Sequence, residues 1–157
     1  MTVIAWDGET LAADRQLSHN GTKFETTKII KYANHLIGVA GDSAPARAFI
    51  NWYTLQNSVN PYTLQTSDHA GYPLNLEKNT FTAIVIKPNK LVFMYVSDGV
   101  YPIDISDTKF IAIGSGRDSA LGALHMGASA RRSVEIACLL DDGCGMGIDE
   151  LTLDTPS

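Results

Sequence analysis

The sequence predicts an α+β fold in which a few helices pack on antiparallel sheets, and three features predict it. Runs rich in β-branched, aromatic and small apolar residues recur as neighbours: 3–6 with 9–13, 28–32 with 35–40, and 81–86 with 91–96. Asp7-Gly8, Ala33-Asn34 and Pro88-Asn89 separate the members of each pair, as tight turns separate the strands of a hairpin. Helical spacing is confined to a segment ending near Gln56 and to residues 119–140, so helices do not alternate one for one with strands.

Val3 to Trp6 and Glu9 to Ala13 make the first hairpin. With Asp7 and Gly8 as its two turn residues, Trp6 faces Glu9, Ile4 faces Leu11 and Thr2 faces Ala13, which places Asp14 beside the chain start. A polar loop is expected from Gln16 to Thr26. Lys28 to Tyr32 then pairs with His35 to Ala40. Gly41-Asp42-Ser43 ends that strand and caps a helix with Pro45 in its first turn, and Ala44, Ala48, Phe49, Trp52 and Leu55 mark the buried face. Residues 57–79, rich in Asn, Ser, Thr and Pro without a 3.6-residue period, read as a long loop. A further sheet is expected to begin with Phe81 to Ile86 and Leu91 to Val96. Val100 to Ile105 follows Asp98-Gly99, and the short strand Phe110 to Ile113 runs into Gly114-Ser115-Gly116. Ser119 to Met126 and Ser129 to Leu140 have helical spacing, the second with Val134, Ile136, Ala137, Leu139 and Leu140 on its buried side. Asp141 to Gly147 breaks that helix, and Ile148 to Leu153 supplies a last strand.

A chain of 157 residues suits one domain, 1–157, and 45% hydrophobic with 18% charged residues is a globular balance rather than that of a disordered tail. The net charge of −5 comes without a basic run to follow a phosphate backbone, which argues against a nucleic-acid partner. No stretch approaches the ~20 apolar residues of a membrane span and no basic leader opens the chain, so a cytoplasmic protein with no membrane partner is expected. Cys138 and Cys144 lack CxxC spacing, and His19, His35, His69 and His125 lack metal-ligand spacing, so neither metal nor cofactor is expected.

Asp-Gly-x-x-Leu-Ala-Ala-Asp-Arg at 7–15, Lys-Ile-Ile at 28–30, Gly-Val-Ala-Gly-Asp at 38–42 and Ala-Ile-Gly-Ser-Gly at 112–116 resemble, in order, the proteasome β-type peptidases of the N-terminal-nucleophile hydrolases. Ser-Val-Glu-Ile-Ala at 133–137, then Asp-Asp-Gly-Cys-Gly at 141–145 and Ile-Asp at 148–149, are similar to that family's fourth helix, following loop and strand. The resemblance implies a four-layer αββα sandwich, two antiparallel sheets face to face with helices outside. It also implies amide hydrolysis by an amino-terminal threonine, whose hydroxyl attacks the carbonyl while its own α-amine acts as base.

Carried over residue by residue, the resemblance makes Thr2 the nucleophile once Met1 is removed. Lys28 would lower the proton affinity of the threonine amine, and Asp14 would hold and orient that charge. Gly41 would offer its backbone N–H to the oxyanion, and Ser115 would bond near the amine. Asp141, or Asp142 in its place, would be the supporting aspartate, with Cys144 where the motif usually has a serine. Copies of the chain would assemble into a ring or other homo-oligomer acting on peptide or unfolded protein. An ATP-dependent unfoldase partner is compatible with this, although no residue speaks for one. The compact length, and a 57–79 span too polar and short for the family's second long helix, resemble the small bacterial or phage-type members. Two other readings share the fold: a non-catalytic structural member comparable to proteasome α subunits, with Met1 retained, and an amidohydrolase of small amides. From the residues alone, Asp14 and Lys28 also read as a structural ion pair, Thr2 as a strand residue, Gly41, Gly114 and Gly116 as turn glycines, and Ser115 as a helix cap.

Overall fold

The computed structural model describes residues 2–58, 81–97 and 102–155. In chain order the elements are β1 (Ile4–Trp6), β2 (Thr10–Asp14), β3 (Gln16–His19), β4 (Thr22–Glu25), β5 (Ile29–Tyr32), β6 (His35–Gly41) and α1 (Ser43–Ser58). They continue with β7 (Phe81–Ile86), β8 (Val92–Val96), β9 (Ile103–Asp104), β10 (Ile111–Ile113), α2 (Arg117–His125), α3 (Ala130–Leu140) and β11 (Ile148–Thr152). Three antiparallel sheets result, in the orders β10-β1-β2-β11, β5-β6-β7-β8-β9 and β3-β4.

The alternation along β1 and β2 builds the layers, because successive side chains leave a strand on opposite faces. Ile4, Trp6, Leu11 and Ala13 point to a core shared with Ile29, Leu36, Ile84, Ile86 and Val92 of the five-stranded sheet. Val3, Ala5 and Ala12 point the other way, onto Ala120 and Leu124 of α2 and Ala130, Val134 and Ala137 of α3. On the far side of the five-stranded sheet, Ile37, Val39, Phe81, Ala83, Val85 and Tyr95 pack against Phe49 and Tyr53 of α1. The stack is therefore α2 and α3, sheet, sheet, α1: the four-layer αββα sandwich. No helix among the described residues is long and apolar enough to cross a membrane.

Several local expectations are corrected. The first hairpin pairs Trp6 with Leu11 and Ile4 with Ala13, a shift of two. The cause is the Asp7 carboxylate, which accepts the N–H groups of Glu9 (2.9 Å) and Thr10 (2.8 Å) and closes a four-residue loop. An even shift leaves every side chain on its expected face. Gln16 to Thr26 is not a loop but the hairpin β3-β4, turned on Asn20-Gly21 with both residues at positive φ (50° and 79°). Strands β7 and β8 begin no new sheet; β7 pairs with β6 from Leu36↔Ile86 to Gly41↔Phe81. The buried face of α1 is Phe49 and Tyr53, with Ala46, Ile50 and Trp52 packed beside them, while Ala44 and Leu55 are exposed. In α3 the buried residues are Ala130, Ser133, Val134 and Ala137, and Leu139 and Leu140 face outward. Of Val100 to Ile105 the described part of the strand is β9; the 57–79 loop lies, beyond the end of α1, outside the described residues.

Candidate active site

Thr2 precedes β1 and lies against the turn that leaves β10. Its N–H donates to Ser115 Oγ at 3.2 Å, and its carbonyl accepts the Gly116 N–H at 3.1 Å. Gly114 makes the approach possible. It sits at φ +95°, and a Cβ there would stand 2.1 Å from the Thr2 carbonyl oxygen. Gly116 has an ordinary φ of −85°, but a Cβ would come within 2.9 Å of Val3 Cβ and 3.2 Å of Ala137 Cβ. The Gly-Ser-Gly turn is thus shaped by the chain start that rests on it, beyond what a tight turn requires.

Asp14, at the end of β2, is fully buried and accepts four hydrogen bonds. Oδ1 takes Lys28 Nζ at 2.8 Å and the Val3 N–H at 3.0 Å; Oδ2 takes the N–H groups of Gln16 at 3.2 Å and Gly145 at 3.1 Å. Burying an ion pair is costly unless its remaining lone pairs are satisfied, and here they are. Lys28, just before β5 and itself buried, is thereby fixed beside the chain start. Buried Gln16 tightens the same corner, with Nε2 donating to Ser18 Oγ (2.9 Å) and to the Asp142 carbonyl (3.0 Å).

The loop after α3 supplies the second carboxylate. Asp141 Oδ2 accepts the Ser115 hydroxyl at 2.9 Å and the Cys144 thiol at 3.5 Å, while Oδ1 accepts the Gly143 N–H at 2.8 Å. These bonds, that of Gly143 first, hold its carboxyl below the usual carboxylate range. The Cys144 thiol is pushed upward by the hydrogen bond it shares with Cys138, by burial, and by the charges of Asp14 and Asp141. In the place where the resemblance expects a serine, it is a protonated donor to Asp141.

Two clefts meet at this corner. One, of about 260 Å³, is lined by Thr2, Gly41, Phe81, Gly114, Ser115 and Arg117 among others. The other, of about 290 Å³, has Thr2, Lys28 and Gly41 on its wall together with residues of α1. Gly41, at the end of β6 with φ +122°, belongs to both. The structure therefore brings together Thr2, Ser115 and Asp141 through hydrogen bonds, and Asp14 with Lys28 through an ion pair. Thr2, Lys28 and Gly41 share a cleft wall. Asp142, the alternative to Asp141, offers its carbonyl to Gln16. Among the described residues no three His, Cys, Asp or Glu side chains converge as a metal site.

Sequence reasoning missed Gln16 and Gly145 as holders of Asp14, Gly114 as the seat of Thr2, and Arg47 on the cleft wall. Only Gly114 carried a signal, as one of two glycines around a serine at a strand exit.

The layer order is the αββα sandwich of the proteasome-type fold, with a threonine just before its first inner strand. Solved structures of that fold are similar over nearly the whole chain. Eukaryotic HslV from Trypanosoma brucei matches with a TM-score of 0.69 and 20% identity, covering 96% of this chain and 97% of that one. Thiobacillus denitrificans BPH, in a complex with epoxomicin, matches at 0.62 and 20% identity over 98% and 99% of the two chains. Anbu from Hyphomicrobium sp. strain MC1 matches at 0.66 and 15% identity, covering 97% of this chain and 81% of that one. No protein-family model and no curated protein matches the sequence.

Proposed function

We propose that the chain is an N-terminal threonine peptidase of the proteasome β type, one domain that hydrolyses peptide bonds inside a cytoplasmic homo-oligomer after Met1 is removed. The observation that carries this reading is the position of the Thr2 nitrogen. It lies 3.2 Å from a serine hydroxyl that in turn donates to Asp141 at 2.9 Å, in a residue that shares a cleft wall with Lys28 and Gly41.

As an amide this nitrogen has no basic lone pair; loss of residue 1 turns it into an α-amine with an ordinary pKa of about 8. The amine takes the proton of the Thr2 hydroxyl, and the oxygen attacks the substrate carbonyl. The oxyanion that forms is met by the Gly41 N–H, at a backbone position with no side chain to obstruct it. Collapse passes the proton from the ammonium to the departing amine and leaves an ester on Thr2, which water hydrolyses with the same amine as base. Lys28, held by Asp14, keeps positive charge near the amine and favours its neutral form. Ser115, anchored on Asp141, orients the nitrogen. Unfolded polypeptide and further copies of the chain complete this reading as substrate and partner.

Intact mass of the purified native protein, with labelling by a peptide epoxyketone that needs both hydroxyl and free amine, tests it. Loss of methionine and one adduct on Thr2, absent in Thr2→Ala, is the expected result. Retained Met1 with no adduct would make the non-catalytic scaffold the better reading.

A further inference from the structure

We propose that Cys138 and Cys144 are a redox site, at which a peroxide closes a reversible disulfide and thereby weakens the support that Asp141 gives to Ser115 and Thr2. The bond itself is independent of the threonine-peptidase reading; its consequence for Thr2 rests on that reading. Cys138 lies in the last turn of α3 and is half-buried. Cys144 is buried in the loop that follows, where a turn closed by its N–H on the Asp141 carbonyl at 3.1 Å brings it back toward the helix. The two side chains belong to one apolar cluster with Val134 and Ala137, and their free thiols share a hydrogen bond.

The thiols are chemically unequal. Cys144 keeps its proton between two acceptors, the Cys138 sulfur and Asp141 Oδ2 at 3.5 Å. The hydrogen bond from Cys144 lowers the pKa of Cys138 below the ordinary thiol value, against the effect of burial. Cys138 is therefore the thiolate that reacts first. Its sulfur attacks one peroxide oxygen and the O–O bond breaks, leaving a sulfenic acid and a hydroxide that recombines with the proton Cys138 gave up. The Cys144 sulfur then attacks the sulfenic sulfur; the S–O bond breaks, and the leaving hydroxide takes the Cys144 proton as water. Two thiols are oxidised, and one peroxide is reduced to two waters. The product has no S–H group, so Asp141 Oδ2 loses the thiol donor and keeps the Ser115 hydroxyl alone. Closing the bond also draws the Cys144 sulfur toward Cys138. That sulfur packs under the Gly-Ser-Gly turn, 3.4 Å from where a Cβ on Gly116 would stand.

The purified native protein, reduced and then treated with hydrogen peroxide, is read in two ways: by alkylation and mass of the peptide that holds both cysteines, and by the rate at which a peptide epoxyketone labels Thr2. The peptide should be lighter by two hydrogens and refuse alkylation, and dithiothreitol should restore both thiols. Labelling should fall about fivefold, the order of one hydrogen bond, and recover with the reductant. Cys138→Ala should label at the native rate and hold that rate in peroxide. Two alkylatable thiols after peroxide, or a sulfinic acid on Cys138 beside a free Cys144, would overturn the disulfide. A disulfide that leaves labelling unchanged would overturn its coupling to Asp141. If the reduced protein does not label at all, the peptidase reading falls and the coupling with it, while the peptide mass decides the bond by itself.

Discussion

A methyl group at position 114 would stand 2.1 Å from the carbonyl oxygen and 2.7 Å from the carbonyl carbon of Thr2. Neither atom is the end of a flexible side chain, so one of two backbone segments must move. Gly114→Ala is therefore expected to cost more than the ~1 kcal/mol typical of a point substitution, of the order of 3 kcal/mol, and to draw the Thr2 nitrogen away from Ser115. Urea denaturation reads the first effect and epoxyketone labelling the second. An alanine variant with wild-type stability and labelling would mean that Thr2 does not rest where it is described. At this scale the site was legible only in part. Thr2, Asp14, Lys28, Gly41, Ser115 and Asp141 came from ordered motifs, each a short string around a functional type. The Gly114 contact joins two backbones 112 positions apart, and nothing in Gly-Ser-Gly tells a turn from a seat. Gly145 was equally hidden, because its part is played by an N–H group that every residue but proline has.

Elements were legible where a strand or helix buries apolar side chains and its turn has special backbone chemistry. The β5-β6 hairpin is of that kind: Ala33 and Asn34 at φ 50° and 62° lead into β6, whose residues from Leu36 to Ala40 are all buried. Strand β4 has the same kind of turn, Asn20-Gly21, but all four of its residues are exposed, so no apolar alternation announced it. The faces of α1 and α3 were misread in the same sense. An apolar residue at helical spacing marks a candidate face, and the sheet beneath decides which face is covered. For α1 the cover falls on Phe49, which contacts Phe81 and Tyr95 at ring-centroid distances of 5.4 and 5.0 Å. Phe49→Ala should cost about 3–5 kcal/mol by thermal or urea unfolding, as buried aromatic truncations do. Ala44→Ser, on the face first expected to be buried, should stay within ~0.5 kcal/mol. Equal effects would reinstate the other face.

For the molecule as a whole, the layer order was legible because β1 and β2 each show two apolar faces, as a strand between a second sheet and a layer of helices must. Which sheet β7 joins was not, since its pairing with β6 spans the region outside the described residues and is decided by shared burial. That junction also carries a pH dependence. His35, at the start of β6, lies 2.6 Å from the Tyr53 hydroxyl of α1, and burial, then the charge of Lys87, lowers its pKa below the usual histidine value. A histidine with a lower pKa folded than unfolded binds more protons unfolded. Its contribution to stability is thus complete above the ordinary value of about 6.5 and is lost as pH falls through that value toward the folded one. The melting temperature should decline over this window, and His35→Gln should flatten the decline. A parallel profile for the two proteins would refute it.

The Asp14 carboxylate ties Val3, near the start of the chain, to Gly145, 131 positions further on than Asp14 itself, and Ser115 reaches Thr2 across 113. During synthesis Ser115 and Gly145 both follow Thr2 by more than a hundred residues. A nascent chain therefore carries its threonine long before it has the carboxylate loop and the serine turn that position it, so the corner closes only when the rest of the sandwich does. On the proposed reading, timing of this kind leaves a growing polypeptide without a positioned nucleophile until the sandwich has closed.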